Sequence, residues 1–336
     1  MTLRRINAHD DGDFAQWFDV VRRSERDRDG DDEGGWLPDE LRARALDTLA
    51  PVYWQLFVYD VDGITLAAAS LEISRHDNVT TAYATLDVDP PHRHRGHGTR
   101  ALESLEQCAV AQGRTTLVVS TKETKDEWGH GASRTFGPQH GYFLSEENVG
   151  RVLAWPRPPG ALDELDARWL PYAHDYEVLS WRGPIDDALL ADRAYLSSVM
   201  PVEAPHGDRP VEAEQWNAER VRTHERMVDA MGRDLLVSAA RHRVSHRLVG
   251  FSELTVSRER PALAYQWDSL VLRAHRGHRL GGLMKVANLR QLERFDYATT
   301  RVATFNEVSN TAMINVNEQL GATLNGAYLL WAKHCI

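Results

Sequence analysis

The same order of predicted elements occurs twice in this chain of 336 residues, and this repeat is the feature that most constrains the fold. In each half, the spacing of apolar residues predicts a strand, two helices, three strands, a basic turn, a helix, a strand, a helix and a last strand. The basic turns occupy matching places, because Arg93 and Arg276 are 183 residues apart (276 − 93 = 183). A repeat of this length indicates a duplicated domain rather than a solenoid.

The boundary between the two copies is expected near the stretch WPRPPG, which begins at Trp155. A stretch so rich in proline and glycine is typical of a linker. We therefore predict an N-terminal domain at 1–156, a linker at 157–176 and a C-terminal domain at 177–336. Each domain is expected to be of the α/β class, with a mixed sheet and helices on both faces.

Composition restricts the classes of partner. The net charge of −10 argues against nucleic acid, because phosphate backbones are bound by basic surfaces. No apolar run approaches the roughly 18 residues of a membrane span, and the N-terminus lacks the apolar core of a signal peptide. The two cysteines give no disulfide framework, which fits a reducing compartment. We therefore expect a cytoplasmic protein without nucleic-acid or membrane partners.

Each basic turn joins an apolar strand to the start of an amphipathic helix. The first follows Val88 with the sequence DPPHRHRGHG, and the second follows Val271 with LRAHRGHRLG. The first N–H groups of a helix have no partner inside the helix, and the helix dipole places partial positive charge there. Such a turn favours an anion. The sequence therefore predicts a phosphate or pyrophosphate ligand at both turns.

The first turn closely resembles the pyrophosphate loop of the GNAT superfamily of N-acyltransferases. That loop reads Val-x-Pro, two residues, and then Arg-x-x-Gly-x-Gly or Ala at the start of a helix. Val88, Pro90, Arg93, Gly96 and Gly98 match it in order. The tandem arrangement of two such domains is similar to that of mycothiol synthase.

The second turn keeps only part of this pattern. Val271, Arg276 and Gly281 hold the frame, whereas Arg273 replaces the proline and Arg279 stands where the first glycine would be. If Arg279 has to adopt a positive φ, we expect a conformational cost.

A second GNAT pattern begins with an asparagine and carries a tyrosine that frequently protonates the leaving thiolate. Asn310 stands at that asparagine in the second half, and His130 takes its place in the first. The tyrosine is replaced by Gly137 in the first half and by Asn317 in the second. Both halves therefore depart from the family at the position of the acid.

The resemblance implies that acetyl-CoA or another acyl-CoA is the co-substrate, and it implies no metal. Backbone N–H groups of the two loops would hold the pyrophosphate, loop arginines would add charged contacts, and an N–H near Val88 or Val271 would polarise the thioester carbonyl. The residues expected to bind coenzyme A are Val88, Arg93, His94, Arg95, Gly96, His97, Gly98, Val271, Arg276, Gly277, His278, Arg279, Leu280, Gly281 and Asn310.

Candidates for the proton transfers come from strands near the loops. Glu253 and Asp268 are possible bases in the second half, and each is also readable as a structural or surface carboxylate. Strict alternation places Asp268 on the face opposite Tyr265 and Trp267 unless a bulge intervenes. These two aromatic residues are candidate walls of an acceptor pocket, although core packing is equally compatible. Tyr328 is a candidate substitute acid.

The function predicted from these residues is transfer of an acetyl or other acyl group from coenzyme A to a primary amine of a small molecule. The amine would attack directly in a ternary complex, and we place the chemistry in the second half. Two alternatives stay open. One is a longer or carrier-bound acyl donor acting on a peptide or natural-product amine, with a carrier protein or peptide as partner. The other is a non-catalytic acyl-CoA sensor.

Overall fold

The computed structural model describes residues 2–30, 35–47, 50–204 and 212–335. The chain divides into two compact units. Unit 1 comprises Met1–Glu147 and Gly326–Ile336, and unit 2 comprises Asn148–Asn325. This division differs from the expected ranges 1–156 and 177–336, because the last strand of the chain belongs to unit 1 and part of an earlier strand belongs to unit 2.

Up to the end of the first repeat, the elements are β1 (Thr2–Arg5), α1 (Asp11–Asp29), α2 (Pro38–Leu46), β2 (Val52–Val61), β3 (Ile64–Ser74), β4 (Thr81–Val88), α3 (His97–Val110), β5 (Thr116–Thr124), α4 (Ser133–Gln139) and β6 (Phe143–Ala154). The second repeat contains α5 (Ala161–Trp169), β7 (Tyr176–Arg182), α6 (Leu190–Glu203), α7 (Ala218–Ala230), β8 (Arg233–His242), β9 (Leu248–Ser257), β10 (Leu263–Val271), α8 (Leu280–Arg294), β11 (Arg301–Glu307), α9 (Thr311–Gln319) and β12 (Thr323–His334).

The sheet of unit 1 has the strand order β1-β2-β3-β4-β5-β12. The β4–β5 pair is parallel, and the other pairs are antiparallel. Both faces are covered. Leu56 and Val58 of β2 pack against α1 and α2, whereas Phe57 between them packs with Leu102 and Leu105 of α3. This alternation is the period of two that a strand buried on both faces requires.

Unit 2 repeats this plan with the strand order β7-β8-β9-β10-β11-β6. The β10–β11 pair is parallel and corresponds to β4–β5. Leu236 and Ala240 of β8 face α8, and Ala239 lies in the core formed with α6 and α7. The predicted α/β class, with mixed sheets and helices on both faces, is therefore confirmed.

The segment expected to be a linker, 157–176, has structure of its own. It contains α5, and its side chains Leu162, Leu165 and Trp169 are buried in the core of unit 2. The Trp169 ring lies over α8, where a Cβ on Gly282 would come within 2.6 Å of it. The sequence signal of proline and glycine therefore marks only the entry to this segment.

The stretches 31–34 and 205–211, which follow α1 and α6 in the sequence, lie outside the described residues. Helix α1 continues to Asp29 and ends at Gly30, whose φ is 80°. Helix α7 begins at Ala218, where the Asn217 side chain caps it by accepting a hydrogen bond from the backbone of Arg220. Among the described residues, no helix is long and apolar enough to cross a bilayer.

Candidate active site

In each unit, a pair of parallel strands stays together for only a short distance. Residues Thr81–Ala84 of β4 pair with Thr116–Val119 of β5, although both strands continue further. In unit 2, the pairing covers Leu263–Gln266 and Arg301–Thr304. Beyond these residues, the two strands of each pair form no further ladder with each other in the described part of the chain, so a gap opens between them. A gap between two strands suits an extended ligand.

The basic turns follow β4 and β10, so that each lies at the open end of its strand pair. Both contain two left-handed residues at matching positions. In unit 1 these are His94 (φ 59°) and Gly96 (φ 79°), and in unit 2 they are Gly277 (φ 88°) and Arg279 (φ 60°). Each loop therefore has one glycine and one larger residue, in opposite order. The expected cost of a positive φ at Arg279 is present, and unit 1 has a similar cost at His94.

The helices that follow begin without a side-chain cap. Gly96 is the N-cap of α3 and Arg279 is the N-cap of α8, and neither offers a capping hydrogen bond from its side chain. The first N–H groups of both helices thus remain available for an anion. Gly98 and Gly281 lie in the first turns of α3 and α8. A Cβ at either position would lie 3.4 Å from a neighbouring side chain, so its absence leaves space for a ligand to approach the backbone.

The two arginines that define the repeat support the loops. The Arg93 Nε donates to the carbonyl of Val88 at 3.1 Å, and the Arg276 Nε donates to the carbonyl of Val271 at 3.0 Å. Arg93 also donates to Ser24 and Asp27, and Arg276 donates to Glu203. Both guanidinium groups already have protein partners, so their geometry braces the loop against the strand end.

The remaining loop residues divide into exposed and inward-facing side chains. His94, Arg95 and Arg279 are exposed, and the Arg279 guanidinium lies 5.3 Å from the centre of the Tyr172 ring. His278 is hydrogen-bonded to the carbonyl of Tyr172 at 2.9 Å. The inward-facing side chains are those of His97 and Leu280, the first residues of α3 and α8.

In that pair, His97 has its ring 6.1 Å from that of Tyr59, and Leu280 is buried. Arg95 and Arg279 are therefore exposed loop cations for which no ion pair with the protein is recorded among the described residues, and the part that His97 and Leu280 could play lies in their backbone.

Glu253 is buried on β9 in an ion-pair cluster. The Arg193 side chain donates to its carboxylate, and the His224 Nε2 lies 3.3 Å from the second oxygen. Burial alone would raise the pKa of Glu253, but Arg193 and His224 outweigh it and hold the pKa at about 2. A carboxylate with so low a pKa is a weak base at neutral pH.

Asp268 differs from Glu253 in both position and pKa. The ladder between β9 and β10 shifts by one residue between Gln266 and Ser269, so a bulge carries Asp268 out of strict alternation. The residue as a whole is exposed, although protein atoms surround its carboxyl group. The loss of water around the carboxyl group, together with the Glu253 charge, raises the pKa of Asp268 to about 6. The pKa of Asp268 is therefore closer to neutral pH than that of Glu253, which makes Asp268 the better candidate for a general base.

The two aromatic candidates are half-buried on β10. Trp267 packs with Val228 and Val237, and its ring centre lies 6.2 Å from that of His224. Tyr265 lies 5.3 Å from the Arg233 guanidinium. Trp267 thus adjoins the cluster of Glu253 and His224, whereas Tyr265 contacts a structural arginine.

Tyr328 lies on β12, opposite Lys122 of β5, and therefore belongs to unit 1. It is in the same unit as the first basic loop, rather than in that of Glu253 and Asp268. The sequence could not reveal this, because it places Tyr328 after the second loop. In unit 1, Tyr328 influences Arg28 electrostatically.

A residue near Arg28 that the sequence analysis missed is Glu25, on α1. Burial, followed by the charge of Asp87, raises the pKa of Glu25 to about 7. Asp87 accepts a hydrogen bond from Ser24 at 2.7 Å, and burial raises its pKa. Unit 1 therefore also carries carboxyl groups with raised pKa values at the end of β4. A charged residue in the middle of a helix gave no signal by which to find Glu25.

The positions of the missing tyrosine are filled differently in the two units. In unit 1, a Cβ on Gly137 would come within 2.9 Å of the Trp331 ring, so this ring occupies the adjacent space. In unit 2, Asn317 is buried and bonded to Lys285 and Asn306. Asn310 caps α9, its side chain accepting a hydrogen bond from the backbone of Met313.

Comparison with known proteins agrees with this geometry. The model of the Acetyltransferase (GNAT) family matches residues 18–137. No match was found among curated protein sequences. Among solved structures, the fold is similar to a tandem GNAT protein from the clavulanic acid biosynthesis pathway, with 22% identity, a TM-score of 0.76, and coverage of 100% of this chain and 98% of the other.

A GCN5-related N-acetyltransferase from Sphaerobacter thermophilus is also similar, with 18% identity, a TM-score of 0.66, and coverage of 99% and 95%. A glucosamine N-acetyltransferase region of a fungal multi-domain β-N-acetylglucosaminidase has a TM-score of 0.66 and 14% identity, over 99% of this chain and 38% of that one. The model of the GNAT acetyltransferase family therefore matches the first half of the chain, and the fold of the whole chain is similar to that of a tandem GNAT protein.

Proposed function

We propose that this protein is an N-acyltransferase that moves an acetyl group from coenzyme A to a primary amine of a small molecule. The observation that carries the proposal is the repeated geometry of a strand pair that parts and a basic loop that leads into an uncapped helix start. The gap between the strands suits the extended pantetheine arm, and the loop suits the pyrophosphate. Acyl-CoA acts as co-substrate, and no metal takes part.

The chemistry needs few groups. The amine nitrogen attacks the thioester carbonyl, a C–N bond forms, and the C–S bond breaks with its electron pair going to sulfur. The proton released by the amine passes to a base, and solvent returns a proton to the thiolate. Because thiols have a pKa near 8.5, their departure requires less acid assistance than that of an alkoxide. A transferase of this kind can therefore work without the tyrosine.

We place this chemistry in unit 2. The β10 bulge brings Asp268 out of the ladder, and its pKa of about 6 suits a base at neutral pH. Trp267 beside it serves as a wall of the acceptor site, and Glu253 with His224 and Arg193 forms the charged floor. Asn310 and the loop 276–281 support the donor. Unit 1 then binds coenzyme A structurally or as a second site.

The composition of the chain supports a cellular compartment and a class of substrate. The two free cysteines fit the cytoplasm, and the net charge of −10 favours a cationic small molecule over nucleic acid. A longer or carrier-bound acyl group, delivered to a peptide or natural-product amine, is the enzymatic alternative. An acyl-CoA sensor is the alternative from another class, and the two replaced tyrosines favour it.

The test measures release of free thiol from acetyl-CoA across a panel of amines, and it compares two matched variants. Gly98→Glu and Gly281→Glu place a carboxylate in the first helical turn of unit 1 and unit 2, respectively. Repulsion of phosphate should make Gly281→Glu at least about tenfold slower, with a smaller effect of Gly98→Glu. Loss of turnover in folded Gly98→Glu alone would overturn the assignment to unit 2. Coenzyme A binding without transfer to any amine would favour the sensor.

A further inference from the structure

Lys285 is a buried basic residue on α8 with a single hydrogen-bond partner among the described residues. The residue is 3% exposed, and its Nζ donates to the Asn317 Oδ1 at 2.7 Å. Among the residues that the structure describes, no carboxylate pairs with it. Burial accordingly lowers the pKa of Lys285 to about 7. An unpaired buried ammonium is costly, so a chain keeps one where it serves a purpose.

The counterpart of Lys285 in unit 1 demonstrates that this position does not need a charge. Leu102 precedes Lys285 by the same 183 residues that separate the two loops, and it is also 3% exposed, in the core formed by α3. A leucine therefore satisfies the packing at this place in the fold. The lysine in unit 2 is a local departure from a consistent core, which is typical of a functional position.

The hydrogen bonds of Lys285 fix the orientation of two amides in series. The Lys285 Nζ carries N–H donors in both its charged and its neutral form and donates to the Asn317 oxygen, so that the Asn317 Nδ2 points away. That nitrogen donates to the Asn306 Oδ1 at 2.6 Å. The Asn306 Nδ2 is then the remaining donor of the series. It donates no recorded hydrogen bond among the described residues.

Asn306 lies at the gap between β10 and β11. Thr304 is the last residue of β11 that pairs with β10, and Asn306 follows it by two positions. Residues two apart on a strand share a face. Val302, a further two positions back, packs in the core formed with α8, so Asn306 faces that helix. Its free donor is therefore placed where the gap opens toward the basic loop.

We propose that Lys285 is a positioning residue for acyl transfer in unit 2. Through Asn317 it orients the Asn306 amide, whose nitrogen donates a hydrogen bond to the coenzyme A sulfur as the C–S bond breaks. The bonding electron pair goes to sulfur, no proton leaves the amide, and the thiolate later takes its proton from solvent. This inference rests on the proposed transferase function and supplies a donor where the tyrosine is missing.

The first test is kinetic and thermal. Lys285→Leu copies the residue of unit 1, so we expect a higher Tm, a kcat about tenfold to hundredfold lower, and a KM for acetyl-CoA changed by less than about threefold. Asn306→Asp keeps the size but removes the donor, and it should lower kcat similarly. Leu102→Met is the matched control in unit 1 and should leave kcat unchanged.

A double-mutant cycle tests whether Lys285 acts through Asn306. If it does, the variant with both changes should be no slower than the worse single variant, because each change removes the same hydrogen bond. Additive losses would instead mean two independent structural effects and would overturn the relay. A kcat within about twofold of wild type in Lys285→Leu would overturn the role of Lys285 itself, while wild-type turnover in the same assay keeps the transferase function intact.

A binding measurement separates the inference from the function. Calorimetry at pH 8.5 compares coenzyme A with desulfo-coenzyme A, whose thiol is replaced by hydrogen. Wild type should bind the thiol form roughly tenfold more tightly, since a hydrogen bond to a charged group adds about that factor, and both Lys285→Leu and Asn306→Asp should lose this preference. An unchanged preference in the variants would contradict the inference even in a protein without turnover. Failure of wild type to bind either compound would contradict the inference and the function together.

Discussion

Asp268 and Glu253 lie on neighbouring strands of unit 2, yet their pKa values shift in opposite directions. Glu253 is enclosed with Arg193 and His224, whereas Asp268 lies at a bulge, exposed as a residue but with protein atoms around its carboxyl group. Charge partners thus hold one carboxylate ionised, and the loss of water around the other raises its pKa. Two carboxylates with separated pKa values permit separate roles, one structural and one in proton transfer.

Replacing Asp268 should remove the base. In Asp268→Asn, we expect kcat/KM to fall by about 10²-fold to 10⁴-fold, because the attacking amine loses its proton acceptor. In wild type, the Asp268 carboxyl group ionises as pH rises through about 6, so kcat/KM should rise through that value. The pH–rate profile of the variant should lack this inflection. The control is Asp229→Asn, an exposed change on α7, which should keep the wild-type profile. An unaltered inflection in Asp268→Asn would refute the assignment of Asp268 as the base.

Removal of Glu253 should mainly affect stability. Glu253→Gln leaves Arg193 buried beside a neutral group, which should lower the free energy of unfolding by about 3–5 kcal/mol at pH 7. Because the pKa of Glu253 falls from 4.5 to about 2 on folding, its stabilisation is present above pH 4.5 and is lost as pH falls toward 2. Urea denaturation at pH 7 and at pH 3 measures this. Equal stability of variant and wild type at pH 7 would contradict it.

At the scale of elements, α8 is held in place on the side opposite its sheet by α5. The Trp169 ring lies over Gly282, whereas the adjacent Gly281 has open space apart from Met313. The position of the helix start, and with it that of the second basic loop, therefore depends on contact with a segment that the sequence presents as a linker.

A pair of adjacent substitutions tests this contact. Gly282→Ala should destabilise unit 2 by about 1–3 kcal/mol, since its Cβ would lie 2.6 Å from the Trp169 ring. Gly281→Ala should be neutral or stabilising by up to about 1 kcal/mol, because alanine favours the helix and its nearest neighbour would be at 3.4 Å. Thermal unfolding of both variants gives the comparison, and equal effects would show that Trp169 yields without cost.

Features with a local cause could be predicted from the sequence. The loops around Arg93 and Arg276, the strand before each and the helix after each depend on short-range spacing and on glycine chemistry. Glu253 and Asp268 were noticeable as carboxylates in apolar strands. Lys285 was not, because a lysine in an amphipathic helix usually marks the solvent face. Its burial depends on α9 and β11, which the sequence does not place.

At the scale of the whole molecule, pairing partners were the least predictable feature. Strand β12 has the alternation expected of any strand, and nothing in it indicates that it pairs with β5 rather than within the second half. The same holds for β6, whose residues Asn148–Ala154 pair with β11 in unit 2. The alternation within a strand predicts which of its faces is buried. The strand with which it pairs depends on the complete fold.

Two shortened proteins test this division of the chain. Residues 1–156 lack β12, so β5 loses its neighbour and the buried Leu329 and Trp331 are missing from the core. We expect this fragment to aggregate or to lack a cooperative thermal transition. Residues 1–147 joined by a flexible glycine–serine linker to 323–336 restore β12 and should be monomeric with a cooperative transition. A well-folded monomeric 1–156 would contradict the role of β12.

The place of β12 in unit 1 also sets the order in which the protein can mature on the ribosome. Unit 2 is complete once Asn325 has left the exit tunnel, whereas unit 1 must wait for the residues after it. Throughout translation of the second half, the edge of β5 stays open to other chains and to chaperones. The half that is synthesised first is therefore the half that finishes folding last.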